Sequence, residues 1–586
     1  MIVGRNEMVE LKINDRTVEI EEGGTILDAA QKAGERIPTL CHIKGLLPSG
    51  ACRMCVVEVK GRNGLVPSCS FPAEPSMEVL TNTPRVLNAR RTIVQLLLAS
   101  HPFDCLSCNR NHFCELQSLA SQYQIESVPF RGKSRIYPPD FSSPSIVRTP
   151  SKCILCGRCV RTCEEIQDVS AIDFTRRGFD TIVLPAFNEA LRETDCVNCG
   201  QCVLACPTGA LHEVSALEQV MRVLQDGKKH VVAQCAPAVR VSVGEFYGLP
   251  VGANVTGKIA SALRRLGVRT VFDTDFAADL TIMEEASELI RRLTSPEANR
   301  PLPLFTSCCP GWVKFLEHNF PEMIAHLSTC RSPQQMMGSL VKSYFAERNG
   351  LRPEDVYMIS VMPCTAKKFE AARPEFGHGS VEDVDAVLTT REFSRLLDLY
   401  GIDFAALPEE SFDELLGTTS GSGDVFAASG GVMESALRTA YHLITGKDLA
   451  EIEFAPVRGF DGLKEATVDI DGTSIKVAVV NTLAKARRLV RNVKAGVSDY
   501  TFVEVMACPG GCVGGGGQSY GIDSERIKKR IEAVYEVDRT RVVRRSYQNP
   551  RIVALYEEYL EKPGSHRSHE LLHTGYQVRG NHRSGV

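Results

Sequence analysis

Nowhere do the 586 residues run apolar for the roughly 18 positions that a membrane-spanning helix needs, so no such helix is expected. The opening MIVGRNEMVELKIND carries neither an apolar signal-peptide core nor a twin-arginine pair, which predicts a cytoplasmic chain. Net charge is only −4 and no block of like charge occurs, so the chain presents no basic field to nucleic acid. No glycine fingerprint for a dinucleotide sits beside a suitable strand, and no flavin site is legible, so direct use of NAD(P)H by this chain alone is not expected. The one conspicuous glycine run, VMACPGGCVGGGGQ at 505–518, closes on Gln518 where a phosphate loop requires Lys followed by Ser or Thr. Bare backbone there must serve close approach to something bulky, with Cys508 and Cys512 as its chemical handles.

What is abundant is cysteine, 22 residues of it. A reducing compartment excludes a disulfide framework of that size, and metal binding is the remaining use. Almost all the cysteines fall in close sets, with Cys235 and Cys330 alone and read as small buried hydrophobes. Length and 43% hydrophobic content allow several globular domains.

Residues 8–21 alternate apolar and polar about an Asn-Asp turn and precede a short helical stretch, a hairpin packed on a helix. Cys41, Cys52, Cys55 and Cys69 follow as C-x10-C-x2-C-x13-C, a plant-type [2Fe–2S] order with a lengthened first gap. After a helical segment at 84–100 come His101, Cys105, Cys108 and Cys114, whose three thiolates and one imidazole suit zinc and iron equally by spacing. CILCGRCVRTC (153–163) and CVNCGQCVLACP (196–207) are two copies of the bacterial-type ferredoxin run. In such pairs the fourth cysteine serves the other cluster, which assigns one [4Fe–4S] to Cys153, Cys156, Cys159 and Cys206 and another to Cys196, Cys199, Cys202 and Cys163. Centres in series carry single electrons between distant partners. From about 228 short apolar runs end at small or cysteine residues and alternate with helical stretches, the pattern of α/β layers with sites at strand ends.

Three of those ends, TSCCPGW (306–312), MPCTAKKFE (362–370) and MACPGGCVGGGGQ (506–518), resemble the active-site signatures of [FeFe]-hydrogenases. The order of the cluster domains is similar to that of the large clostridial-type enzymes. The resemblance implies an α/β and α+β multidomain fold: a β-grasp [2Fe–2S] ferredoxin domain (7–84), a [4Fe–4S] domain with one histidine and three cysteine ligands (85–147), a 2[4Fe–4S] ferredoxin domain (148–225), an α/β H-cluster catalytic domain (226–545) and a small-subunit-like tail (546–586). It implies one [2Fe–2S], three accessory [4Fe–4S] clusters and an H-cluster, a cubane joined to a diiron unit with CO, CN⁻ and a dithiolate, interconverting protons, electrons and H2. Carried over by position, Cys309, Cys364, Cys508 and Cys512 hold the cubane, Cys512 also bridging to the diiron unit. Cys308 is the thiol exchanging protons with the dithiolate amine, and Glu285, Ser328 and Glu288 relay them.

The same resemblance puts Lys367 on a cyanide, Met362 and Met506 in the diiron pocket, Gln334 nearby, and the Ala236-Pro237 backbone against another cyanide. At 238 some members of the family carry Ser where this chain has Ala, which removes one cyanide contact. Read without the signatures, Glu285 and Glu288 fit an ordinary solvated helix face. His566, His569 and His573 share helical spacing, and the family implies packing of that tail on the catalytic domain rather than zinc. The implied partners are maturation proteins, ferredoxin, and flavin- and NAD(P)-binding subunits of an electron-bifurcating complex. A monomeric ferredoxin-dependent hydrogenase is the alternative. A non-catalytic electron-transfer subunit would lack the three loops, and sensory or assembly relatives typically depart at Cys308.

Overall fold

The computed structural model describes residues 8–130, 135–295, 300–377, 379–449, 453, 457–460, 462–521 and 523–579. The first residue of the expected N-terminal domain and the last seven of the expected tail lie outside these. Near the N-terminus β1 (Met8–Ile13) and β2 (Arg16–Glu21) form the expected hairpin, joined by β3 (Val56–Val59), β4 (Leu65–Pro67) and β5 (Glu78–Leu80) in the order β2-β1-β5-β3-β4. Strand β1 alternates exposed and buried residues, so Leu11 and Ile13 meet the apolar face of α1 (Ile26–Lys32). Thr25 and Asp28 close a reciprocal cap at the start of that helix, satisfying amides that its first turn leaves free. Helix α2 (Pro84–Ala99) leads into the His101 region.

The two cysteine runs adopt the same backbone. Leu155 and Asn198 have positive φ (54° and 59°), and so do Gly157 and Gly200 (75° and 70°), at matching places in each copy. Left-handed residues turn the chain inside out around the sulfurs, and their repetition is the mark of a duplicated site.

Two four-stranded sheets make the larger body. One is parallel throughout: β6 (His230–Cys235), β7 (Thr270–Asp273), β9 (Val356–Met362) and β10 (Ala386–Thr389), ordered β7-β6-β9-β10. The other orders β8 (Leu304–Phe305), β13 (Phe502–Met506), β12 (Thr473–Asn481) and β11 (Leu463–Ile470), antiparallel only at the β11–β12 pair. Strands β9 and β13 are buried along their whole length, as parallel strands covered on both faces must be. Crossovers between parallel strands bring every C-terminal strand end to one side, where α/β sheets keep their sites. Helix α3 (Thr274–Thr294) starts directly from β7 with Asp273 as its cap. Among the described residues no helix is long and apolar enough to cross a membrane.

Candidate active site

Four strand ends deliver the chemistry. Strand β6 ends in Ala236-Pro237, β8 runs into Cys308 and Cys309, β9 into Cys364, and β13 into Cys508. All of them line one cavity, together with Cys512, Met362, Met506, Gln334 and Lys367. Sequence reasoning missed Thr274, Ala278, Pro333 and Phe426 in that lining; they carry no motif and reach it only through packing. Ala238 lines it too, with a methyl where a hydroxyl would reach the interior.

Burial raises Cys508 well above the ordinary thiol value and Cys364 to about 12, and the crowding of neighbouring sulfurs adds to it. Four thiols so placed are poor neighbours for one another, whereas thiolates around a soft iron cluster satisfy the same geometry. The Gln334 carbonyl oxygen is buried without a partner, while its amide donates to Glu370 (3.1 Å) and the Lys367 carbonyl (3.3 Å). Lys367 is fixed by Glu370 at 2.8 Å and donates to the Cys308 carbonyl at 3.2 Å. Glu370, absent from the expected site, therefore positions both polar groups of the pocket. The donor set and the orphaned oxygen suit a bound metallocluster with polar ligands.

The glycine run packs mainly against protein. A Cβ on Gly516 would fall 2.1 Å from the Cys199 carbonyl, and one on Gly515 would fall 2.2 Å from that of Pro363. Gln201 donates to the Gly514 carbonyl (2.8 Å), and Thr365 to that of Asn198 (2.7 Å). The 196–206 loop thus sits backbone to backbone on the loops of Cys364 and Cys508. Arg391 holds the run from behind through the Gly516 and Gln518 carbonyls.

Cys153, Cys156, Cys159 and Cys206 line a second cavity, with about 490 Å³ of empty space. Cys163 packs with Cys196 and Cys202 in one cluster, and its charge acts on Cys199. Cys55 and Cys69 lie 3.3 Å apart by sulfur, and Cys41 is hydrogen-bonded to Cys52. His101 keeps a buried Nδ1 with no partner, and Lys152 acts on both it and Cys108. Cys114 is raised by burial with Cys108 beside it, whereas Cys105 is exposed. His112 is exposed in a left-handed turn. Cys235 and Cys330 are buried in the main apolar core.

On α3 the glutamates are not a solvated face: Glu284, Glu285 and Glu288 are each at most 1% exposed. Burial is the main cause that pushes Glu285 up to about 8, aided by Glu288 and opposed by Ser328. It is therefore protonated at neutral pH, and burial, the largest cause, holds the Cys308 thiol well above the usual range. Burial also works to raise Glu288, but Arg292 at 2.6 Å and the Thr329 amide at 3.0 Å outweigh it and keep Glu288 low. Ser328 donates to Glu288 at 3.1 Å. A hydroxyl thus stands between the neutral carboxylic acid of Glu285 and the ionised carboxylate of Glu288. Infrared titration is expected to show a protonated-carboxyl band fading as pH rises through about 8, absent in Glu285→Gln. A band unchanged by the substitution would assign the proton elsewhere.

Cysteine loops converging from two parallel-strand sheets, with further cysteine sets leading to them, define an iron–sulfur oxidoreductase. The C-terminal domain of the iron-only hydrogenase large subunit matches residues 229–516, and the iron hydrogenase small subunit matches 524–579. Upstream, a 2Fe–2S iron–sulfur cluster binding domain matches 6–84, an NADH-ubiquinone oxidoreductase-G iron–sulfur binding region 90–129, and a 4Fe–4S dicluster domain 152–210. The chain is 48% identical to the NADP-reducing hydrogenase subunit HndD of Solidesulfovibrio fructosivorans over 98% of its own length and 99% of the relative's. It is 40% identical to iron hydrogenase 1 of Clostridium pasteurianum over 97% and 100%. Among solved structures, a variant of apo [FeFe]-hydrogenase HydA1 from Chlamydomonas reinhardtii superposes with a TM-score of 0.57 at 43% identity, covering 63% of this chain and all of that one. The chain belongs to the iron-only, or [FeFe]-, hydrogenase family, oxidoreductases acting on H2. It carries 2Fe–2S and 4Fe–4S binding domains ahead of the H-cluster domain.

Proposed function

We propose that Cys309, Cys364, Cys508 and Cys512 hold the H-cluster cubane, with Cys512 shared with the diiron unit. The observation that carries this is the common cavity: the four sulfurs line it with Cys308 and Lys367, while Glu285 acts on Cys308 from α3. When bound, the H-cluster supplies the electrons and the metal chemistry that make and cleave H2. The protein's own part is to place a proton at the Cys308 sulfur, pass it by Glu285, Ser328 and Glu288, and exclude water with Met362, Met506 and the Ala236-Pro237 backbone. Lys367, held by Glu370, and Gln334 offer hydrogen bonds to the polar ligands of the diiron unit.

Electrons enter through one [2Fe–2S] at Cys41, Cys52, Cys55 and Cys69 and one [4Fe–4S] at His101, Cys105, Cys108 and Cys114. They continue by the paired clusters at Cys153, Cys156, Cys159, Cys206 and at Cys196, Cys199, Cys202, Cys163. The seating of the Cys199 loop on the glycine run supports the latter cluster as the last step before the cavity. The domain limits 7–84, 85–147, 148–225, 226–545 and 546–586 follow this division of labour. A cytoplasmic chain is in keeping with its load of reduced thiols.

The chain acts as the catalytic subunit of an NAD(P)-linked complex whose other subunits bind flavin and nucleotide, with ferredoxin as a second, bifurcated electron partner and maturation proteins supplying the diiron unit. The likeness to an NADP-reducing hydrogenase subunit and to an NADH-ubiquinone oxidoreductase-G region supports this reading. Purified alone, the matured chain is expected to reduce a one-electron dye with H2 but not NAD+ or NADP+. Nucleotide reduction should appear only with polypeptides that copurify from native cells. Reduction of either nucleotide by the isolated chain would overturn the assignment.

A further inference from the structure

The proton chain reaches Glu288 and stops inside the protein, because Glu288 and Arg292 are both buried. Beyond them lies a histidine contributed by the tail. His573 is fully buried at the end of α4 (His566–Leu572), a helix that packs on Pro333–Leu340. Its Nε2 is 3.0 Å from Glu284, and its Nδ1 is 2.8 Å from the Thr329 hydroxyl. The same hydroxyl lies 3.2 Å from Glu288. Glu284 also accepts from Tyr556 (2.6 Å), from Ser568 and from the Gly564 amide (2.8 Å), so its orientation is set by the tail.

We propose that His573 is the proton-carrying group beyond Glu288, linked to it by the Thr329 hydroxyl, so that the C-terminal tail completes the relay. This rests on the hydrogenase reading of the cavity and extends its proton path toward the surface.

A carboxylate only accepts, so the hydrogen between Glu284 and the ring resides on Nε2, which leaves the Nδ1 lone pair facing Thr329. When Glu288 carries a proton, its O–H bond breaks toward the Thr329 oxygen as the threonine O–H bond breaks toward Nδ1. One proton moves, no electron does, and the products are a Glu288 carboxylate and a His573 imidazolium beside the Glu284 carboxylate. Burial works to raise Glu284, but its bond to His573 is the largest influence holding it low. Reversal of these steps serves H2 production. Thr329 is half-buried, and the exposed ring of His569 stacks on His573 at 4.6 Å and 9°, which brings the path to solvent.

Glu284, Glu288 and Arg292 face this site from α3, Cys330 from the loop after Ser328, and Tyr556 and His569 from the tail. Ligand atoms of Glu288, Cys330 and His573 lie within 4.8 Å of one another, a spacing that would also suit a metal ion. Arg292, Ser328 and Thr329 already occupy Glu288, and Glu284 occupies Nε2, so a hydrogen-bonded chain is the better fit.

The test compares the matured chain with His573→Gln, Thr329→Val and Thr329→Ser. Gln can keep hydrogen bonds without carrying a proton, Val keeps the shape of Thr without its hydroxyl, and Ser restores the hydroxyl. Both H2 production and uptake should fall at least about tenfold in His573→Gln and Thr329→Val. An altered pH profile, a larger solvent isotope effect and unchanged infrared CO and CN⁻ bands should accompany the loss, while Thr329→Ser recovers turnover. Parental turnover, pH profile and isotope effect in Thr329→Val would overturn the proposal, including where His573→Gln fails to fold. Missing CO and CN⁻ bands in the unsubstituted matured chain would instead defeat the cavity reading on which the proposal rests.

Discussion

A Cys308→Ala chain is expected to assemble a normal diiron site and to lose about a hundredfold or more of its H2 turnover in both directions, the low end of what a positioned acid–base group contributes. Assembly should survive because Cys309, Cys364, Cys508 and Cys512, the sulfurs proposed as ligands, are untouched. Turnover should not, because Cys308 is the sole titratable proton carrier among the described residues lining the cavity apart from those four cysteines and Lys367, and Lys367 is held by Glu370. Burial keeps the Cys308 thiol far above its ordinary value, and Lys367 only partly opposes it. It therefore rests as a neutral donor, and in the proposed relay it regains its proton from Glu285, itself protonated up to about pH 8. Cys308→Asp should retain part of the activity, since a buried carboxyl can be raised into the same role. Infrared spectra and H2 assays on the same samples decide. Normal bands with normal turnover would remove the proton role, and absent bands would make Cys308 structural.

Gly516→Ala is expected to do comparable damage by another route. The added methyl would lie 2.1 Å from the Cys199 carbonyl and 2.7 Å from the Gly200 Cα, both backbone, so neither can swing aside as a side chain would. Forced repacking of this kind costs about 1–3 kcal/mol. Here the strain falls between the proposed last accessory cluster and the cavity. Thermal stability should drop, and electron delivery through the accessory clusters should slow, more than in Gly64→Ala, whose added methyl meets nothing within 4 Å at an ordinary φ. A Gly516→Ala chain with parental stability and parental rates would show that the two loops can separate without loss.

Close spacing in the chain made part of this legible in advance. Cys153, Cys156 and Cys159 stand within a few residues of one another, and the ferredoxin pattern joins them to Cys206 of the second copy, which lines the same cavity. The closing Gln518 sets the glycine run apart from phosphate loops, and its bare backbone points to close approach but not to what it approaches. At Gly515 and Gly516 the close neighbours are carbonyls of Pro363 and Cys199, contacts between segments too far apart for local pattern to reveal. Glu285 and Glu288 show the same limit. Their spacing fits a solvated helix, and only helices packed around α3 make them buried acids with opposite tendencies.

Sequence by itself determined the kinds of site: which cysteines stand within a turn of one another, which loops carry them, and that no nucleotide fingerprint accompanies them. Such features are covalent and short-range, and they survive any packing of the rest. Tertiary structure alone decided that four strand ends share one cavity and that the Cys199 loop rests on the glycine run. It alone brought His573 from the tail to Thr329 beside Glu288. Those arrangements depend on burial and hydrogen bonds between segments hundreds of residues apart, and no local preference of the chain encodes them.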